Sequence, residues 1–364
     1  MKPDHFAALG AAALVSLVLA VVSYSSHVPW TEPLKYAKLF PALEKDAGKV
    51  SAIEISQADS KVNLERKDTA WVLKERDGYP ANADKVRALL LALQDAELVE
   101  DKTRKEERYR ELFLEDPAGK DANSNFLKLL DGNAGSVVEL IVGKRRADAF
   151  GGGKGGTYIR KPGDVQAWLV NSEIDAPSAI KDWVKTRIFE TQTALIRKVT
   201  IEIPGEQPLG IVWDTESKRL KLADMPAGKQ LKFANSIEDI GESLGVIDMD
   251  DVRKSPDTPS GDNVSTVKLE NENGLNVTYT FRKAADGDWL SMSATADGEQ
   301  KKFAELFSAG AKGWEFRLPK SKAGEILKKR SDLIEDINLP ETGPGAQPKP
   351  APGAPVEPPK PGTP

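Results

Sequence analysis

A chain of 364 residues, 40% hydrophobic and 29% charged, can bury a sizeable core, and its length suits two domains or one domain repeated. The net charge is −5, acids and bases are intermixed, and no basic stripe interleaved with aromatics occurs, which argues against a nucleic-acid partner. The lack of cysteine removes disulfides, thiolate zinc sites and nucleophilic thiols, and the two histidines, His5 and His27, both flank the first hydrophobic run. The rest of the chain therefore has no imidazole for general-base or metal-binding work.

Phe6 to Tyr24 reads FAALGAAALVSLVLAVVSY, without a charge. As a helix it would reach about 28 Å, close to the thickness of a bilayer's hydrocarbon core. The competing reading is a cleaved signal peptide, whose apolar region is shorter and ends at small residues. Ser23-Tyr24-Ser25 makes a poor cleavage site, and Trp30 suits an interfacial anchor, so the expectation is a single-pass anchor. Lys2 is offset by Asp4, while Lys35 and Lys38 follow the run, so the charge count does not favour an inside N-terminus. The body is nevertheless placed outside the cytoplasm, because a five-residue head before an apolar run is built like an export signal.

Beyond the anchor the chain echoes itself. Ile53 and Ile55 alternate as on a half-buried strand, and Ile201 and Ile203 do so 148 residues later. Val62 and Leu64 recur as Ile211 and Trp213, and Trp71 and Leu73 as Leu220 and Leu222. Three short strands at a nearly constant offset predict two related α+β units in tandem. A helix follows each set. Asn82 caps one whose apolar face is Val86, Leu89, Leu90, Leu93 and Leu98, and Ser236 with Asp239 forms a capping box before Ile237, Ile240 and Leu244.

Further strands are expected at 137–142, 157–160 and 167–170 in the first unit and at 264–269, 275–282 and 288–292 in the second. The units close with helices over Ser178 to Phe189 and Gln300 to Ala309. A strand from Trp314 to Leu318 and a helix from Ala323 to Ile334 complete the body. From Leu339 the chain turns to Pro, Gly, Ala and Lys, a composition that buries too little apolar surface to order itself. The expected organisation is residues 1–30 as cytoplasmic head, transmembrane anchor and juxtamembrane segment, 31–192 and 193–338 as the two α+β units of antiparallel strands plus helices, and 339–364 as a disordered Pro-rich tail.

The motifs that invite chemistry read more simply as structure. In the run from Gly151 to Thr157, Lys154 is followed by Gly155 rather than Ser or Thr, and a strand follows instead of a helix, so this is a loop and not a phosphate cradle. Asp248, Asp250 and Asp251 lack the turn glycine and distal glutamate of an EF-hand and read as a solvated turn. Leu339 to Gly343 spells the sorting signal of Gram-positive cell-wall attachment, but no apolar segment and basic tail follow it. Trp71, Trp168, Trp183, Trp213, Trp289 and Trp314 read as core residues, with an aromatic ligand platform as the alternative. No catalytic, cofactor-binding or metal-ligating residue is assigned.

Trp71-Val72-Leu73 with Gly78-Tyr79-Pro80-Ala81 ahead of the helix, Thr157 to Arg160, and Val165 to Val170 together resemble the bacterial domain-of-unknown-function family 4340. The resemblance is clearest from Val50 to Phe189, and the second unit joins it through the repeat. It implies a membrane-anchored envelope protein associated with gliding-motility-type ABC transporter systems, and it carries over no catalytic residues. The expected function is a non-enzymatic accessory or binding subunit of such a system, with a protein partner in the complex, a single-pass anchor in the bacterial inner membrane and the body on the periplasmic side. The alternatives are an envelope hydrolase using a carboxylate pair and a structural linker protein.

Overall fold

The computed structural model describes residues 36–256 and 264–337. The expected anchor, both histidines, the Leu339–Gly343 motif and the Pro-rich tail lie outside the described residues. The described chain is a mixed α+β structure built mostly of antiparallel sheet, and it divides into two compact units between Lys185 and Thr186. No helix among the described residues is long and apolar enough to cross a membrane.

The first unit is a ten-stranded sheet. Its strands are β1 (Ala37–Lys38), β2 (Val50–Gln57), β3 (Ser60–Lys67), β4 (Ala70–Leu73), β5 (Tyr79–Pro80), β6 (Glu97–Asp101), β7 (Asn125–Asp131), β8 (Ser136–Arg146), β9 (Gly156–Arg160) and β10 (Ala167–Val170), in the order β1-β6-β10-β9-β8-β7-β2-β3-β4-β5. Helix α1 (Ala83–Asp95) follows β5 and starts at Asn82, whose side chain accepts a bond from Asp84 N–H as a cap should. Alternation puts one residue in two on the covered face. Leu73, Leu64, Ile53, Leu129 and Val138 stand opposite one another on five successive strands, and all are buried. Each such side chain contributes about 1.5–3 kcal/mol on leaving water.

The second unit has β11 (Arg187–Glu190), β12 (Ile196–Glu202), β13 (Leu209–Asp214), β14 (Arg219–Leu222), β15 (Lys229–Leu231), α2 (Ser236–Gly245), β16 (Val246–Asp248), β17 (Asp251–Lys254), β18 (Val264–Asn271), β19 (Leu275–Ala284), β20 (Gly287–Ala296), α3 (Lys301–Ala311), β21 (Trp314–Arg317), α4 (Lys322–Ile326), α5 (Arg330–Leu333) and β22 (Ile334–Asp336). Its main sheet runs β14-β13-β12-β18-β19-β20-β21-β17, with β11–β16 and β15–β22 as separate pairs. Leu209, Ile201, Val267, Tyr279 and Met292 form its central buried row. Helix α2 lies close to this sheet. A Cβ on Gly241 would collide with Leu220, one on Gly245 would stand 2.9 Å from the Thr191 carbonyl, and Tyr279 Oη donates to Leu244 O at 3.1 Å. Burial pushes the Tyr279 phenol up.

The two sheets share an eight-strand order, which β1 and β5 extend at the two ends of the first. In each, three strands form a meander, a helix follows, a strand after it (β6 or β17) crosses to the far end of this order, and four strands return: β4-β3-β2-β7-β8-β9-β10-β6 in one and β14-β13-β12-β18-β19-β20-β21-β17 in the other. The register corrects the expected echo. Leu64 stands between Leu73 and Ile53 as Ile211 stands between Leu222 and Val199, so Leu64 corresponds to Ile211 and not Trp213, Val62 to Leu209 and not Ile211, and Ile53 to Val199 and not Ile201. Leu73 faces Leu64 as Leu222 faces Ile211, so that pairing stands. The turns of the second meander are longer, and a two-residue slip hides in the sequence because it leaves every side chain on the same face.

Other expectations are also corrected. Strands β6 and β7 went unread, and Leu98 belongs to β6 rather than to the helix face. Ser178 to Phe189 is not a helix. Ile180–Trp183 makes one 3-10 turn, and β11 pairs with β16, which buries Phe189 in the second core. Ile180, Trp183 and Val184 have helical spacing, but a buried tryptophan and an inter-strand ladder outweigh a single turn's propensity. The last helix breaks into α4 and α5 at Leu327–Lys329. Ser236 does not cap α2: its hydroxyl donates to Phe233 O, and Asp239 N–H bonds Asn235 O.

Helix α3 sits between β20 and β21, where the first unit has a short connection. β21 pairs with β20 only at Trp289 and Leu290. Farther along β20, Ser308 Oγ accepts from Ala294 N (2.8 Å) and donates to Ala294 O (2.7 Å), satisfying an edge the sheet leaves open. Ser308→Ala is expected to cost about 1–3 kcal/mol. The urea midpoint should fall with an unchanged slope, and an unmoved midpoint would show that water serves the edge equally well.

Candidate functional site

The two units also differ along the helix of each. In the first, α1 buries Val86, Leu89 and Leu93, and the chain after β10 returns along its flank. Trp183 from that return is 1% exposed, its Nε1 donates to Pro177 O at 2.8 Å, and its carbonyl accepts Asn82 N–H at 2.7 Å. A crevice of about 70 Å³ remains beside it, between α1 residues Lys85 and Ala88 and the carboxylates of Glu173 and Asp175.

In the second, α2 buries Ile237, Ile240 and Leu244 at the same spacing, and the chain after β21 returns along it as α4 and α5. Ser236 and Asp239 stand where Lys85 and Ala88 stand on α1 when the buried triplets are matched. No tryptophan comes back to fill the space. A groove of about 650 Å³ is left between α2 and α4–α5, with Leu333 and the two serines Ser236 and Ser243 in its wall and Phe233 at its mouth. Phe233 is 72% exposed, the highest value among the large apolar side chains described as exposed.

The groove combines apolar surface with charged side chains, most of them acidic. Asp239, Glu242, Glu325 and Asp332 face Lys322 and Lys328 across it. Glu325 is fixed as an anion: a hydrogen bond from Ser321, then one from Ser243 at 3.1 Å and the charges of Lys322 and Lys328, hold it below the usual carboxylate range. Burial pushes the Lys322 ammonium down, opposed by Glu325. Asp239 and Glu242 are exposed and have no ion-pair partner among the described residues. Such a surface can accept donors and cations and offer one aromatic face, which suits binding. The acid half of a carboxylate-pair mechanism needs a raised pKa, whereas Glu325 in this groove is held down.

The sequence-level candidates fall elsewhere. Gly151, Gly152 and Gly153 turn between β8 and β9 with φ of +75°, +62° and +75°, and the N–H of Gly153 is taken by Asp148. Asp248 pairs with Arg187 at 3.0 Å and Asp251 with Arg317 at 3.9 Å, so two of the three clustered aspartates serve ion pairs. Among the described residues no group of three or more His, Cys, Asp or Glu is placed to hold a metal. Trp183, Trp289 and Trp314 are buried, while Trp71, Trp168 and Trp213 are half-buried. Sequence reasoning missed Phe233 and the groove. The available signal was that Trp183 has no aromatic counterpart after β21.

A family model described as "Domain of unknown function (DUF4340)" matches residues 71–271, from β4 to the end of β18. No curated protein and no solved structure matches the chain.

Proposed function

This chain belongs to the DUF4340 family, and from that premise we propose that it is a membrane-anchored, non-enzymatic binding subunit accessory to an ABC-type transport system, its body on the periplasmic side of the bacterial inner membrane. The observation that carries the binding role is the groove along α2, left open where the sister unit is filled by its own tryptophan and rimmed by an exposed phenylalanine. An aromatic side chain with most of its surface in water is a typical anchor for a partner. The apolar run Phe6–Tyr24 supports the membrane anchor. The association with a transporter rests on the family resemblance.

The test is recovery of partners. The tagged full-length chain, extracted in mild detergent from its native cell, should bring down an ATPase and a permease subunit. Phe233→Ala should reduce that recovery about tenfold, since losing a buried aromatic contact at an interface commonly costs more than 1 kcal/mol. Extraction of the intact chain without either subunit would overturn the proposal.

A further inference from the structure

The repeat supplies its own template for what the open groove holds. In the first unit the equivalent flank of the helix is occupied by a chain segment, Pro177–Lys185, that inserts Trp183 and keeps Lys181 and Lys185 exposed on either side of it. That segment runs beside Glu173 and Asp175. In the second unit the returning chain, α4–α5, buries Ala323, Ile326 and Leu333 in the core but brings no tryptophan, and the groove remains beside it. The unit's helix buries a triplet at the same spacing, its groove carries four carboxylates against two ammonium groups, and Asp239 and Glu242 are exposed and have no ion-pair partner among the described residues. Phe233 offers a ring at the mouth, where an indole or phenyl group can stack.

We infer that the groove between α2 and α4–α5 binds a short peptide segment of a partner protein, one carrying an aromatic side chain flanked by lysine or arginine. The inference rests on the binding role proposed above and gives it a ligand chemistry. The aromatic group enters the groove against Leu333 and Phe233. The flanking cations meet Asp239 and Glu242, a pairing that salt weakens because both carboxylates are exposed. The segment's backbone finds hydroxyl partners in Ser236 and Ser243.

The probe is a synthetic, fluorescein-labelled nonapeptide with the sequence of residues 177–185, titrated by polarisation against the full-length chain in lipid nanodiscs. Saturable binding is expected, weakened about tenfold by Phe233→Ala and about threefold by combined Asp239→Asn and Glu242→Gln at low salt. A peptide with alanine in place of its tryptophan should not bind, and Leu91→Ala, on the exposed side of α1, should change nothing. Absence of binding at 1 mM peptide, or binding indifferent to Phe233→Ala, overturns the inference. Self-association of the chain that Phe233→Ala abolishes, with no peptide binding, overturns it in favour of a second copy. Failure to recover transporter subunits would instead strike the accessory role alone, since the peptide titration contains no transporter.

Discussion

Glu315→Ala is expected to destabilise the second unit by about 3–5 kcal/mol, the usual cost of removing one partner from a buried ion pair. Glu315 lies on β21 and is 3% exposed. Arg253 of β17 donates to it at 3.1 Å, and Arg282 of β19 holds it through two guanidinium nitrogens. Arg253 also stacks on the Trp289 ring at 3.5 Å and pairs with Asp286 at 3.1 Å, whose other oxygen accepts from Trp289 Nε1. Four strands are thus tied on one face around a single carboxylate. Its loss leaves Arg282, with a side chain only 19% exposed, charged and without its counter-ion. Differential scanning calorimetry should show the loss as roughly 2–4 °C per kcal/mol for a unit of this size. The physical cause can be isolated by removing all three charges together. Replacing Glu315, Arg253 and Arg282 with methionine should recover much of the stability, because the desolvation cost disappears with the ions. A Glu315→Ala variant as stable as wild type would show that water reaches the cluster.

Trp183→Ala should cost the first unit a similar amount, about 3–5 kcal/mol. The indole is fully enclosed, its N–H is satisfied by Pro177 O, and its removal leaves a cavity beside α1. The variant would carry in its first unit an opening like the one its second unit has naturally. Free indole should therefore restore part of the loss, since a ligand that binds only the folded state stabilises it in proportion to the logarithm of its concentration above Kd. A melting temperature unchanged by the substitution would mean that the indole is dispensable to the packing. A full loss with no response to indole would mean that the segment from Pro177 to Lys185 leaves the flank altogether once its anchor is gone.

The meander strands were legible because their signal is local. Ile55, Val62, Leu64 and Ile201 alternate with polar neighbours, and alternation is set by the pleat of one strand whatever it pairs with. Helices α1 and α2 were legible for the same reason, from triplets at spacings of three and four. Strands β6 and β17 were not. Their alternation is short, and what makes each a strand is pairing with β10 or β21 across the sheet, many residues away. Leu98 fell in line with the face of α1 although the chain had already left the helix. The run from Ser178 to Phe189 misled in the opposite direction, since helical spacing arose there from a turn and a strand placed end to end.

The sequence alone determined the α+β class, the antiparallel meanders and the lack of cysteine and histidine beyond the first hydrophobic run. These depend on residue type and on periods of two and 3.6, which are properties of neighbours along the chain. Tertiary structure alone decided which residues of the two copies correspond, where the fourth strand of each unit lands, and that one flank is sealed by Trp183 while its counterpart stays open behind Phe233. Those outcomes depend on contacts between distant segments, where one bulky side chain present or missing changes a packed flank into a groove without altering any local pattern.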